Sequence, residues 1–285
     1  MKYDNLLGAI GNTPLIRINS FLQESPVCIY GKLESLNPGG SIKDRTAYGL
    51  IVQAEKEGIL KDGGTIVEST SGNVGLALAM ISAVKGYRFI AVLDPKTPRC
   101  NINLLMAYGA DIEMVDKPDD DGGYQKPRIR RVKEIVGSIP NCVNLDQYNN
   151  GAARLAHYHT TGPEIFNDLE GKVDVLVGAV STGGHLCGTA RYLKENIKGI
   201  VVMGVEPEGS VIFGGEYLPY KQNGTGLSFV PENYDPNVVD IELKVSDRDA
   251  FLMTRELAKR DGVEDLKHPK TQRHYLNKSR TLLGV

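Results

Sequence analysis

The chain contains no tryptophan and only four cysteines, and it has no apolar run long enough to span a membrane. The cysteines are scattered without a Cys-x-x-Cys pair, which indicates reduced thiols rather than a disulfide framework or a metal site. The net charge of -2 gives no electrostatic reason to expect nucleic acid or an anionic membrane as a partner. The first residues lack the positive and apolar segments of a signal peptide, so we predict a cytoplasmic protein.

Several catalytic and metal-binding patterns are also missing. Without a Gly-x-Ser-x-Gly elbow, a hydrolase triad has little support. His157 and His159 have no evident third zinc ligand, and the acidic stretch at 117–126 lacks the spacing of a calcium loop, so we interpret it as a surface turn. A nicotinamide dehydrogenase is disfavoured because Gly-x-Gly-x-x-Gly does not follow the first strand.

Short β-branched segments alternate with longer helical patterns along the 285 residues. Near-continuous apolar strands separated by helices indicate a parallel sheet covered on both faces, and therefore an α/β protein of one or two domains. The pattern predicts strands over 27–30, 65–67, 89–93, 112–115, 175–177 and 200–205, and helices over 42–59, 74–84, 101–108 and 186–195.

One lysine stands in unusual surroundings. Residues 37–45 (NPGGSIKDR) place Lys43 behind a glycine turn at the start of a predicted helix. Glycine allows a flat ligand to approach the backbone. The helix dipole disfavours a positive charge in the first turn, which helps an amine to form a Schiff base with an aldehyde. Taken alone, Lys43 also fits a solvated surface lysine.

A glycine-rich turn before the predicted helix at 186–195 suits an anion. Backbone N–H groups at a helix N-terminus and nearby hydroxyls can hold a phosphate, with a histidine as its neighbour. A tight packing turn explains the same sequence equally well. The residues concerned are Ser181, Thr182, Gly183, Gly184 and His185.

A second loop, residues 69–73 (STSGN), precedes the predicted helix at 74–84. Its N–H groups and hydroxyls suit an α-carboxylate, and Asn73 can donate a hydrogen bond to a cofactor ring oxygen. A simple helix cap is the alternative. Together with Lys43 and the turn at 181–185, this loop predicts one site for an aldehyde, a carboxylate and a phosphate. That combination indicates pyridoxal phosphate with an amino-acid substrate.

In this order, the three loops resemble those of the cysteine synthase and cystathionine β-synthase family, the fold type II pyridoxal-phosphate enzymes. Residues 11–15 (GNTPL), 68–75 (ESTSGNVG) and 224–231 (GTGLSFVP) resemble further motifs of that family, and the likeness runs from about residue 5 to residue 262. It implies two open, mostly parallel twisted sheets covered by helices, similar to those of tryptophan synthase β. The sequence departs from the family at Val74 and Tyr148.

The resemblance also implies residue roles. Lys43 would carry the cofactor and then move the substrate's α-proton. The substrate carboxylate would be held by Ser69, Thr70, Ser71, Asn73 and Gln147. The cofactor would contact Asn73, Gly224 and the phosphate turn formed by Ser181, Thr182, Gly183, Gly184 and His185.

The family resemblance implies β-replacement on an O-activated L-serine through an aminoacrylate, in a homodimer. Residues 1–40 and 146–285 would form a larger cofactor-binding domain, and residues 41–145 a smaller domain that closes over the substrate. Segments such as 180–182 (VST) and 209–214 (GSVIFG) resemble a branch that joins O-phosphoserine to glutamate. Its product, N-(2-amino-2-carboxyethyl)-L-glutamate, leads to 2,3-diaminopropionate in siderophore or antibiotic pathways. A cysteine synthase that uses sulfide is the alternative.

The end of the sequence departs from the family. After the predicted helix at 247–260, members continue into a loop whose serine or threonine faces the pyridine nitrogen. Here residues 262–270 read GVEDLKHPK, followed by a basic tail. We therefore expect a truncated or divergent end without that contact, which keeps open an inactive relative that binds no cofactor.

Overall fold

The computed structural model describes residues 2–20, 27–120 and 123–263, together with the backbone of residues 282–284. The strands are β1 (Leu15–Ile18), β2 (Ile29–Lys32), β3 (Thr65–Ser69), β4 (Arg88–Leu93), β5 (Asp111–Met114), β6 (Cys142–Val143), β7 (Val175–Ala179), β8 (Val201–Pro207), β9 (Ile241–Val245) and β10 (Leu282–Gly284). The helices are α1 (Lys43–Lys56), α2 (Asn73–Lys85), α3 (Arg99–Ala107), α4 (Gln125–Ser138), α5 (Ala152–His159), α6 (Thr161–Asp168), α7 (Gly184–Asn196) and α8 (Asp247–Asp261).

The strands form two separate sheets. The larger has the order β1-β2-β10-β7-β8-β9, and the smaller has the order β5-β4-β3-β6. All pairings in the smaller sheet are parallel, as are β7 with β8 and β8 with β9. The pairs β1–β2, β2–β10 and β10–β7 are antiparallel. The predicted α/β class with two open, mostly parallel sheets is confirmed.

Each sheet has its own apolar core, because helices cover both of its faces. Every residue of β3 is buried, as are Phe89–Leu93 of β4, so these strands carry apolar side chains on both sides. The core beside the smaller sheet includes Leu50, Ile66 and Leu78. Around the larger sheet, Leu176, Leu186 and Val202 pack together.

Helices α1, α5 and α7 stack where glycines allow close approach. A Cβ atom built at Gly49 of α1 would lie 2.4 Å from the Cβ of Ala156 in α5. At Gly188 of α7 it would lie 2.1 Å from the carbonyl oxygen of Arg154 in α5. The packing of these three helices therefore fixes the N-terminus of α1 relative to the N-terminus of α7.

The predicted elements coincide with observed ones to within about three residues at most ends, while β1, β6, β9, β10, α4, α5 and α6 were not predicted. Most of the divergent segment 262–270 lies outside the described residues. The proposed domain boundaries at residues 40/41 and 145/146 stay a prediction. In the described part of the chain, no helix has both the length and the hydrophobicity that a membrane crossing requires.

Candidate active site

A cleft of about 270 Å³ opens between the helices of the two sheets. It brings together most of the residues predicted from the sequence, since Lys43, Ser69, Thr70, Ser71, Asn73, Gln147, Ser181, Thr182 and Gly224 all line it. Gly183, Gly184 and His185 are not among its lining residues. Further lining residues are Gly72, Val74, Arg128, Tyr148, Tyr220, Gln222, Asn223, Thr225, Gly226 and Leu227.

Lys43 is the first residue of α1, and only 4% of its surface is exposed. Its Nζ donates a hydrogen bond to Thr182 Oγ1 at 3.1 Å. The preceding turn needs glycine at Gly40, where φ is +80°. The lysine therefore points at the 181–185 turn and not into bulk solvent.

A buried ion-pair network holds the first turn of α1 against the larger sheet. Arg45 binds Glu34 at 2.7 Å and Glu164 at 2.5 Å, and Lys32 of β2 also binds Glu164, at 2.8 Å. Burial alone would raise the pKa of Glu164, but the hydrogen bond and charge of Arg45, with help from Lys32, lower it to about 2. Since Arg45 is two residues after Lys43, the network fixes the position of the backbone at Lys43.

The 181–185 turn is shaped by its glycine. Gly183 has φ +81°, and a Cβ atom there would lie 2.6 Å from the backbone of Asn233. Gly183 is the N-cap of α7, so the first N–H groups of that helix belong to this turn. The turn therefore combines an N-terminal helix dipole with the hydroxyls of Ser181 and Thr182, which suits an anion.

His185 packs away from the cleft lining. Its ring lies edge-on to that of His157, with 6.1 Å between the ring centroids. His157 is hydrogen bonded to Thr46 and Thr161 at 2.9 Å each. Burial, followed by the charges of His185, Arg45 and Lys43, lowers the pKa of His157 well below its usual value. This histidine pair belongs to the helix stack beneath the cleft.

The 69–73 loop is held in shape by side chains on both sides. Thr70 Oγ1 accepts a hydrogen bond from the N–H of Gly75 at 3.1 Å. Asn101 of α3 donates to the carbonyl oxygen of Ser71 at 2.8 Å. Held in this way, all five residues of the loop line the cleft.

Glu68, directly before this loop, is buried without a bonded cation among the described residues. Its Oε2 accepts hydrogen bonds from Asn144 Nδ2 at 3.0 Å and from the N–H of Asp146 at 3.1 Å. Burial and the nearby charge of Asp146 raise the pKa of Glu68 to about 8, against the opposing effect of these hydrogen bonds. This carboxyl group was not singled out by the sequence.

The sequence also failed to identify Arg128 of α4. Its side chain is 14% exposed, lies 3.3 Å from Asp94 Oδ2 and lines the cleft. Within the described residues, Nε and Nη1 of Arg128 have no hydrogen-bond acceptor in good geometry. The helical spacing of Ile129, Val132 and Val136 is the signal that would have placed this arginine on a helix.

Comparison with known proteins identifies the family. The model of the family "Pyridoxal-phosphate dependent enzyme" matches residues 6–264, and the chain belongs to this family. The N-(2-amino-2-carboxyethyl)-L-glutamate synthase of Ralstonia nicotianae is 40% identical over 259 residues, which cover 91% of this chain and 77% of that protein.

Two solved structures are also similar to this chain. A hydrogen sulfide-producing enzyme from Fusobacterium nucleatum has a TM-score of 0.86 and 38% identity, covering 93% of this chain and 86% of the other. For an O-acetylserine dependent cystathionine β-synthase from Helicobacter pylori, the TM-score is 0.83, the identity 37% and the coverage 92% and 85%. The predicted fold type II enzyme of the cysteine synthase type, and its dependence on pyridoxal phosphate, are confirmed.

The residues present fit this cofactor. A buried primary amine, Lys43, lies against the turn at 181–185. Thr225 lines the same cleft, and its buried hydroxyl oxygen has no hydrogen-bond partner among the described residues. A buried polar atom without a partner is unfavourable unless a ligand satisfies it. The cleft therefore offers an amine, a phosphate cradle and an unused hydroxyl in one place.

Proposed function

We propose that this protein catalyses β-replacement on O-phospho-L-serine, with L-glutamate as the nucleophile and N-(2-amino-2-carboxyethyl)-L-glutamate as the product. The observation that carries this proposal is Arg128, a second cation that lines the cleft holding Lys43 and whose side chain is 14% exposed. The similarity to the Ralstonia nicotianae synthase, at 40% identity, supports the same reaction.

Arg128 is suited to an anionic substrate group. A guanidinium presents several donors in a fixed plane that matches phosphate or carboxylate. Asp94 Oδ2 lies 3.3 Å from Nη1, outside hydrogen-bond geometry, and Nε has no hydrogen-bond acceptor in the described part of the chain. A phosphoryl leaving group or the side-chain carboxylate of glutamate would use these donors. Acetate loss followed by sulfide addition needs them far less.

The remaining residues divide the work of binding and proton transfer. We assign the substrate α-carboxylate to Ser69, Thr70, Ser71 and Asn73, with Gln147 from the segment after β6. When bound, pyridoxal phosphate supplies the electron sink that acidifies the Cα–H bond and permits departure of the group on Cβ. Lys43 Nζ takes the proton from Cα and later returns it. The hydroxyl of Thr182, 3.1 Å from Nζ, orients this amine.

The first experiment asks whether Lys43 carries the cofactor. Purified protein with added pyridoxal phosphate should show the near-visible absorbance band of the lysine-bound cofactor, and Lys43→Ala should abolish both the band and turnover. Lys56→Ala, an exposed lysine at the other end of α1, is the matched control and should retain both. A wild-type protein without the band would favour the alternative of an inactive relative.

The second experiment identifies the substrates. O-phosphoserine and O-acetylserine are each offered with glutamate and with sulfide, and the products are identified by mass spectrometry. We expect the glutamate adduct from O-phosphoserine as the main product. Arg128→Gln should raise the KM for O-phosphoserine or for glutamate, whichever of the two Arg128 binds, roughly tenfold or more. This is the effect expected for one lost charge-assisted hydrogen bond. Arg130→Gln, on the same helix but exposed, should not raise the KM. Cysteine as the only product would instead favour the sulfide reaction.

A homodimer, and a role in providing a precursor of 2,3-diaminopropionate for a siderophore or antibiotic, stay predictions of the family resemblance. A cytoplasmic location stays a prediction from the N-terminal sequence. Analytical ultracentrifugation of the holoenzyme tests the homodimer directly.

A further inference from the structure

We propose that Glu68 is a positioning residue that fixes the two substrate-binding walls of the cleft to each other. The first wall is the loop at 69–73, and the second is the segment 144–148 that carries Gln147. This inference rests on the proposed function, because it concerns the residues assigned there to the substrate carboxylate.

The position of Glu68 in the chain makes the bridge possible. It lies near the end of β3, so the residue after it is the first of the 69–73 loop. Its carboxyl oxygen Oε2 accepts hydrogen bonds from the side chain of Asn144 at 3.0 Å and from the backbone of Asp146 at 3.1 Å. Gln147 follows at once, so one carboxyl group lies between the two walls.

The sheet itself does not hold the walls together at this point. The ladder between β3 and β6 pairs Thr65 with Cys142 and Ile66 with Val143, and it ends there. Beyond it, the side chain of Asn144 donates to the carbonyl oxygen of Val67 at 2.9 Å as well as to Glu68. The contacts of Glu68 therefore continue the connection from the last ladder pair to the edge of the cleft.

The groups around Glu68 require an acceptor oxygen but not a negative charge. The facing titratable groups are Asp146 and Tyr148, and the charge of Arg128 acts on Tyr148 from α4. Among the described residues no lysine or arginine pairs with Glu68, which is 3% exposed. A neutral carboxyl group or an amide can accept from Asn144 and Asp146 equally well. Glutamine should therefore preserve the bridge, and alanine should remove it.

The test compares three variants of the holoenzyme: Glu68→Ala, Glu68→Gln and Val67→Ala. Val67 is fully buried one position earlier on β3, so Val67→Ala lowers stability without removing a hydrogen bond from the bridge. In Glu68→Ala, we expect the KM for O-phosphoserine to rise roughly tenfold, with a smaller change in kcat, since buried donors lose their acceptor. Glu68→Gln and Val67→Ala should stay close to the wild-type KM.

Hydrogen exchange gives a readout that does not depend on turnover. In Glu68→Ala, amides at 69–76 and 144–150 should both exchange faster than in wild type, while Glu68→Gln should protect them. Equal exchange and equal KM in wild type and Glu68→Ala would overturn the proposal, as would a glutamine variant that behaves like alanine. If wild type turned over no serine derivative, the proposed function would fail, and the exchange comparison would still decide the role of Glu68.

Discussion

Two carboxyl groups, the partly buried Glu164 and the buried Glu68, have opposite surroundings. Glu164 binds Arg45 and Lys32, and its pKa lies at about 2. Glu68 accepts hydrogen bonds from neutral donors beside another acid, Asp146, and its pKa lies at about 8. A glutamate side chain is therefore an anion at Glu164, in the ion-pair network, and a neutral acid at Glu68, beside the cleft.

The difference separates the ion-pair network of Glu164, which serves as a scaffold, from the hydrogen-bonded bridge of Glu68 at the wall of the cleft. The ion pairs of Glu164 connect three parts of the chain, which are the N-terminal strands, α1 and α6, and they set the position of Lys43. Removing one partner from such a network leaves a buried charge without a counter-ion. The bridge of Glu68 is built from neutral hydrogen bonds, which are weaker and cost less to rearrange.

The largest effect is expected from Arg45→Met. It leaves Glu34, whose side chain is 1% exposed, without its bonded cation. We expect a loss of roughly 3–5 kcal/mol in the free energy of unfolding, measured by urea denaturation. Arg191→Met, which breaks the exposed pair with Glu195, should cost far less. Similar losses in both variants would remove the contrast between scaffold and surface.

Glu164→Gln should have a smaller effect that depends on pH. At neutral pH we expect a loss of roughly 1.5–3 kcal/mol, because hydrogen bonds to a charged acceptor become neutral ones. The native pKa of about 2 lies below the ordinary 4.5, so this stabilisation is full above pH 4.5 and disappears as the pH falls towards 2. Unfolding curves of wild type and variant should therefore converge in acid. A constant difference at all pH values would show that the charge is not responsible.

Glu68→Gln should have an effect of the opposite sign. The native pKa of about 8 lies above the ordinary 4.5, so the folded protein keeps a proton that the unfolded chain releases between these values. Wild-type stability therefore falls as the pH rises through this window, and the variant lacks this decrease. We expect the variant to be more stable than wild type at pH 8, by a margin that shrinks towards pH 5, measured by denaturation at both pH values. A variant with the wild-type pH slope would assign the titration to another group.

The sequence predicted which segments meet at the candidate site. Lys43 and the loops at 69–73 and 181–185 each pair a glycine with polar residues at a strand-to-helix turn, a local signal that needs no knowledge of tertiary contacts. The folded chain brings all three to one cleft. The buried strands were also evident, because apolar runs on both faces of a sheet leave a continuous pattern.

Arg128 and Glu68 could not be identified in this way, for a physical reason. Arg128 stands in a basic segment of α4 that also contains Arg130 and Arg131, and only packing against Asp94 distinguishes it from its exposed neighbours. The pKa of Glu68 depends on burial and on Asp146, far along the chain. Such properties arise from tertiary structure, and neither composition nor periodicity contains them.

The contact between Gly188 and the carbonyl oxygen of Arg154 limits how this sequence can vary. With a Cβ atom only 2.1 Å from that oxygen, even alanine would push α7 outwards and carry the turn at its N-terminus away from the lysine. Selection for catalysis thus reaches a residue outside the cleft. A library randomised at this codon and sorted by the yellow colour of the holoenzyme should return almost only the parental amino acid.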